Sequence, residues 1–297
     1  MTAQNKKPRV VVRHPIDLAD AELEMDETRT ELLTALAAQP SALGRVGFPG
    51  VVAARLLAYA SIAAREDGVL QLAAQSLARS NASLLALSNA ERGRPVTALL
   101  GEAMLTLSAW GPNSQAHVLA WRDGWYAALL ARDGAALDLL SGIGDAALRA
   151  SPSRADDFFY AWKAALIAHR QRPDAALPQL EQALMLTRKG RYHVAAPEAA
   201  QLMQHTFLLL GCVIRRDAAG FEGALLTALE SHQRFWSAAG LQNDYDGWVA
   251  LGPLALCCLA HDAGLPVNVE SGYLLPFLIE GRASAARALQ TKAAAIP

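Results

Sequence analysis

Aromatic residues make up only 6% of the 297-residue chain, and β-branched residues are sparse beside Ala and Leu. Strands of a sandwich or barrel draw on those residue types, so an all-β architecture is excluded. An excess of either charge is missing too: 27 basic residues stand against 28 acidic ones, for a formal charge of −1. No global field would draw the protein to nucleic acid or to an anionic membrane. Only three cysteines occur, Cys212, Cys257 and Cys258. An odd count with one adjacent pair is a poor disulfide framework, no CxxC spacing offers a zinc site, and the three read as small core residues. The longest apolar run, Val249 to Ala260, stops at His261-Asp262 and is too short to cross a bilayer. The basic start (Lys6, Lys7, Arg9, Arg13) has no apolar run behind it, so no signal peptide is expected and the chain reads as cytoplasmic.

Catalytic motifs are equally scarce. There is no GxSxG, no P-loop, no GxGxxG and no HExxH. The seven histidines, His14, His117, His169, His193, His205, His232 and His261, lie far apart and at no metal-ligand spacing. His261-Asp262 closes an apolar helix, where a cation favours the helix dipole, so capping is the plainer reading there. Arg188, Lys189 and Arg191 form one short basic cluster, again behind a helix end, with no aromatic interleaving for nucleic acid. No enzyme activity, cofactor or metal is expected.

What the chain has is helix. Hydrophobic residues are 53% of it, dominated by Ala and Leu, the strongest helix formers. The stretch Trp248 to Pro276 is central: an apolar rod from Trp248 to about Ala263, stopped by Gly264 and Pro266, then an extended Val267-Asn268-Val269 and an apolar plug, Tyr273 to Pro276. Residues 1–14 read as a flexible tail with a short extended VVV segment, and 15–297 as one helical domain. The first helix is expected from Leu18 to Ala38 with Asp17 as cap, and a second from Pro49 at its first position to Glu66. Val96–Leu100 and Ala103–Leu107 flank Gly101-Glu102 and suit a β-hairpin, although Ala, Leu and Met there also suit a helix. Further helices follow at short intervals. The fold class is therefore all-α, an irregular, repeat-like array of antiparallel helix pairs with one small hairpin near 96–107. Residues 155–188 come nearest to a tetratricopeptide unit, but the other pairs do not keep its roughly 34-residue period.

Two surfaces carry charge worth a function. Between Asp17 and Glu31, seven acidic residues face only Arg29, a net −6. Of these, Glu22, Glu24, Asp26, Glu27 and Glu31 would form an acidic face for a basic partner, speeding encounter and narrowing partner choice. The plain alternative is a solvated face whose acids suit a helix start. Asp244, Tyr245 and Asp246, followed by Trp248, add a second acidic and aromatic patch. Its plain alternative is a helix cap at Asp246 with Trp248 buried.

Trp125-Tyr126-Ala127-Ala128-Leu129-Leu130-Ala131-Arg132-Asp133, with Leu139-Leu140 and Ala147 to Ser151, resembles the immunity protein 49 family of bacterial polymorphic toxin systems. So does the close, Leu254-Ala255-Leu256, Leu259 to Gly264, Val269-Glu270-Ser271, Tyr273 and Leu274-Leu275-Pro276. The resemblance spans about residues 15–280 and departs from the family in the basic start and in the Ala-rich stretch after Arg282. It implies an all-α cytoplasmic protein that binds a cognate secreted toxin and occludes its active site, with no turnover and no cofactor. A nuclease, with its basic groove, is the toxin class that the acidic patches would suit. Two other readings stand beside it: a tetratricopeptide-like scaffold for a peptide or regulator, and a helical enzyme without a recognised motif. A continuous concave groove would favour the scaffold; a closed pocket of strongly shifted groups would favour the enzyme.

Overall fold

Runs of Ala and Leu, punctuated by Gly, Pro and Asp, fold into twelve α-helices among the described residues. The computed structural model describes residues 9–38, 43–188 and 191–282, and for 43–45 the backbone alone. In chain order, β1 (Arg9–Val11) precedes α1 (Ala21–Ala37), α2 (Leu43–Ile62) and α3 (Gly68–Asn89). A hairpin of β2 (Pro95–Leu100) and β3 (Ala103–Ser108) follows, then α4 (Val118–Ala131), α5 (Gly134–Ser141), α6 (Asp145–Arg149), α7 (Asp157–Gln171) and α8 (Ala176–Leu186). The remainder holds α9 (Pro197–Arg215), α10 (Ala218–Trp236), α11 (Leu251–Asp262), β4 (Val269–Ser271) and α12 (Pro276–Ile279). Neighbours in sequence pack as neighbours in space: α1 on α2, α2 on α3, α3 on α4, α7 on α8 and α9 on α10. The all-α reading holds.

One large core joins these pairs. The two α4 tryptophans, four residues apart and so on one face, stack at 4.8 Å between ring centres. Trp162 of α7 stacks on Phe207 of α9 at 4.5 Å. Two of the three fully buried indoles, Trp121 and Trp162, have their N–H satisfied: Trp121 donates to the Leu140 carbonyl at 2.9 Å and Trp162 to the Tyr126 hydroxyl at 2.7 Å. α11 lies between α4 and α9, with Leu254, Ala255, Leu256, Cys257, Cys258 and Ala260 all buried. It is shorter than the rod read from hydropathy, because Trp248 to Ala250 precede the first helical turn; burial there reflects packing rather than helix. Gly264 does end the rod, at φ +77°, a region open to glycine at little cost.

α2 departs from expectation more instructively. Pro49 does not start the helix but sits inside it, where it has no N–H to give. The Ser80 hydroxyl of α3 enters the ladder one residue on, accepting the Gly50 N–H at 3.0 Å and donating to the Val46 carbonyl. In a regular helix Gly50 and Val46 would bond each other; a side chain inserted between them is one of the identifiable origins of a kink. Gly50 permits this approach, since a Cβ there would stand 3.1 Å from both Ser80 Oγ and Asn81 Oδ1.

The hairpin forms as an antiparallel pair in register from Pro95↔Ser108 to Leu100↔Ala103, with Gly101 at φ +53° as its first turn residue. Ser83 of α3 pins it, accepting the Leu99 N–H at 2.6 Å and donating to the Leu99 carbonyl at 2.8 Å. The extended segments expected at the VVV run and around Val269 overlap the two strands of a second sheet, but their pairing had no local signal. β1 pairs in parallel with β4, Arg9↔Val269 to Val11↔Ser271, so the crossover between these two strands is nearly the whole helical array. Residues 9–14 are thereby part of the packed body rather than of a tail, and Val11 and His14 are buried. The remaining tail positions, 1–8, and Lys189 of the basic cluster lie outside the described residues.

Candidate functional site

α1 begins at Ala21, three residues later than expected, because Asp20 rather than Asp17 caps it; Asp20 accepts the Leu23 N–H at 3.0 Å. Met25, Thr28 and Leu32 face the core. The acids on the other side are not equivalent. Glu22, Asp26 and Glu27 are exposed, whereas Glu24 and Glu31 are half-buried against α2. Glu31 forms an ion pair with Arg55, and Glu24 stands beside the Tyr59 hydroxyl, whose pKa is raised by burial and by that carboxylate. Arg65, just beyond α2, is hydrogen-bonded to Asp67 and also feels Glu22 and Asp26. Arg55 and Arg65 thus offset part of the charge that the linear sequence leaves bare.

The second patch forms a 3₁₀ turn, Tyr245–Gly247. Asp244 caps it, accepting the Asp246 N–H at 3.0 Å. Asp246 is therefore not the cap of α11, whose preceding residue, Ala250, makes no side-chain cap. Trp248 is buried, as the plain reading has it, edge-on to Tyr59 at 5.5 Å and donating its indole N–H to the Gln242 carbonyl at 3.2 Å. The fold brings the two acidic stretches together. The Asp17 N–H donates to Asn243 Oδ1 at 3.0 Å, the His14 ring meets the Gln242 carbonyl at 3.0 Å, and Arg55 lies near both Glu31 and Tyr245.

Beside this junction opens a cleft of about 420 Å³ between α2, α4, α9 and the 3₁₀ turn. Val51, Ala54, Met203, Val249 and Pro253 give it apolar walls; His117, Arg122, Asp123 and Asp246 give it polar ones. Arg122 donates to Asp123 at 2.8 Å. Burial would lower the Arg122 pKa, but Asp123, Tyr126 and Asp246 outweigh it, so the guanidinium stays charged. Asp246 is exposed as a residue, yet it lines the cleft, and its pKa is raised by burial and by Asp244 and Asp123 against the pull of Arg122. Burial lowers the pKa of His117 and takes that of His232 down to about 4, so both imidazoles are neutral near pH 7. His117 Nδ1 accepts the Ala120 N–H at 3.3 Å and caps α4, and the Thr206 hydroxyl donates to the Leu202 carbonyl. The lining thus presents charge and apolar surface to a ligand. Arg122 and Asp123 were missed in sequence, though a charged pair inside the otherwise apolar VLAWRDGWYAALLA was a usable signal.

Among the described residues no group of three or more His, Cys, Asp or Glu is placed to hold a metal ion, and no helix is long and apolar enough to cross a membrane. No curated protein and no solved structure matches the chain. A family does: immunity protein 49, over residues 68–276. That is a shorter span than the resemblance suggested, since it starts with α3 and leaves α1 and α2 outside, while Asp123 and Asp244 to Asp246 fall within it. With an all-α array closed by the buried Tyr273 plug, and most of its length matched, the chain belongs to the immunity protein 49 family.

Proposed function

We propose that this protein binds the secreted toxin of a bacterial polymorphic toxin system in the cytoplasm of the producing cell and neutralises it by stoichiometric occlusion of the toxin's active site. Membership of an immunity family supplies the class of partner. The observation that carries the choice of surface is the meeting of two acidic stretches more than 200 residues apart, Glu22 to Glu31 and Asp244 to Asp246, tied by the Asp17–Asn243 contact. Such a surface complements a toxin with a basic substrate groove, the electrostatic character that a nuclease needs. Steering of this kind raises the association rate and falls with salt. Catalysis by the immunity protein has no part in the reading.

The test is co-purification with the protein encoded next to this chain, coupled to growth of cells expressing that neighbour alone or with this chain. A tight complex at equal stoichiometry and rescue of growth are expected. A neighbour that is harmless alone, or several weak partners in its place, would overturn the proposal and favour a helical scaffold.

A further inference from the structure

The cleft beside the 3₁₀ turn combines three features that suit a positively charged occupant. Its walls are largely apolar, with Val51 59% exposed at the rim. Phe48 precedes Val51 by three residues and Arg55 follows it by four, so all three share one face of α2; Phe48 is also exposed. Its polar side holds an unequal balance of charge: Asp123 and Asp246 line it, Asp244 adjoins it, and Arg122 is the cation set against them. Asp123 is already hydrogen-bonded to Arg122. The Asp246 carboxylate, in contrast, accepts no hydrogen bond from any described residue, although its backbone N–H is bound by Asp244.

We propose that this cleft is the anchor pocket for one arginine or lysine side chain of the toxin, its aliphatic stem lying on Val51, Ala54 and Pro253 and its cationic head bonded to Asp246. The inference rests on the toxin-binding reading and narrows it to a point. A long, amphipathic cation fits such a site because its stem can cover apolar wall while its head meets charge. The cleft volume lies within the range of about 300–1,000 Å³ typical of ligand pockets, ample for one side chain. A cation bonded to Asp246 would also relieve the mutual repulsion of Asp123, Asp244 and Asp246. The neutral imidazoles of His117 and His232 offer it no competing charge. An anchor seated in a desolvated pocket is the arrangement that concentrates binding energy at interfaces.

Two measurements test the site. In the first, N-acetyl-arginine amide, with N-acetyl-norleucine amide as the uncharged control, is titrated into the isotope-labelled protein while amide resonances are followed. Saturable shifts confined to residues around Asp123, Asp246 and Val51 are expected with the arginine probe alone, and their absence in Asp246→Asn. Shifts with both probes, or with neither, would overturn the cation assignment. In the second, Asp246→Asn and Val51→Arg are compared with the native protein for binding of the co-purified toxin. Asp246→Asn should weaken binding at least about tenfold, Asp246→Glu should recover most of it, and Val51→Arg should block it by filling the cleft from within. Unchanged toxin affinity in Asp246→Asn, with native circular dichroism, would sink the anchor while leaving toxin binding intact. Failure to recover any toxin would sink the broader reading, and the probe titration would still decide the cleft.

Discussion

The Tyr273 hydroxyl accepts the backbone N–H of His14 at 2.9 Å and stands 2.7 Å from the same residue's Nδ1. The other ring nitrogen of His14 lies 3.0 Å from the Gln242 carbonyl, which can only accept, so Nε2 carries the proton and Nδ1 accepts from Tyr273. His232 packs edge-on to the same tyrosine ring at 4.7 Å and donates Nε2–H to the Gly247 carbonyl at 2.8 Å. Arg13, whose pKa is lowered to about 10 by burial, reaches across to the Ser61 carbonyl and hydroxyl. One tyrosine near the end of the described chain therefore holds the strand at its beginning and the loop that carries Asp244 to Asp246.

That cluster makes stability pH-dependent. Folded His14 and His232 both have pKa values below the ordinary 6.5, His232 at about 4, chiefly through burial. Between those values the unfolded chain binds more protons than the folded one, so stability is fully present above about pH 6.5 and is lost as pH falls towards 4. His232 alone should cost about 2 kcal/mol between pH 7 and pH 5. Thermal unfolding followed by circular dichroism should show a lower midpoint at pH 5, with the drop reduced in His232→Asn. An equal drop in both proteins would clear His232 of the effect.

The Ser80 hydroxyl inserted in the α2 ladder predicts a second outcome. Ser80→Ala removes the hydroxyl that serves the Gly50 N–H and the Val46 carbonyl, both in a buried helix contact. The loss should be about 1–3 kcal/mol in urea unfolding, with the slope against denaturant unchanged. Full native stability would mean that α2 closes its own ladder.

Charge reversals on α1 should separate docking from folding. Glu27 is exposed with no ion pair among the described residues, so Glu27→Lys should leave stability within about 0.5 kcal/mol and slow toxin association, most visibly at low salt. Glu31→Lys instead sets a lysine against Arg55 and should cost up to about 1 kcal/mol of stability. If stopped-flow association with the toxin is unaffected by Glu27→Lys, the acidic helix is a solvated face and the cleft alone remains as the docking candidate.

Leu256 is fully buried in α11 between α4 and α9. Leu256→Asp places an unpaired carboxylate there at a cost of several kcal/mol and should leave the protein insoluble, while Leu256→Ala should fold with a loss of about 2–5 kcal/mol. Soluble, native-like Leu256→Asp would show that the helix is not core.

Much of this fold was legible because helix punctuation is local. Pro197 starts α9 at its first position, Gly264 ends α11, and Gly101 turns the hairpin, each through its own backbone preference. Pro49 misled because the Ser80 hydroxyl that takes up the next N–H in the helix, that of Gly50, sits on another helix and leaves no local trace. The β1–β4 pair was invisible because three-residue strands 260 positions apart leave no periodicity to read. In the candidate site, the charges could be read from sequence but their pairing could not. Arg55 and Arg65 reach the acidic helix from α2 and its far end, and Asp123 joins Asp246 through packing alone.

The parallel bond between β1 and β4 also sets an order in time. Val11 has no strand to pair with until Ser271 has been synthesised, so the beginning of the chain must wait, unpaired, for nearly all of the rest to leave the ribosome. Tyr273 arrives two residues after that partner and fastens His14 beside the loop at Gln242. The surface proposed to meet the toxin is thus among the last parts of the molecule to take shape. A chain ending before residue 271 would keep α1 to α11 and lack both the strand and the tyrosine that hold residues 9–14 in place.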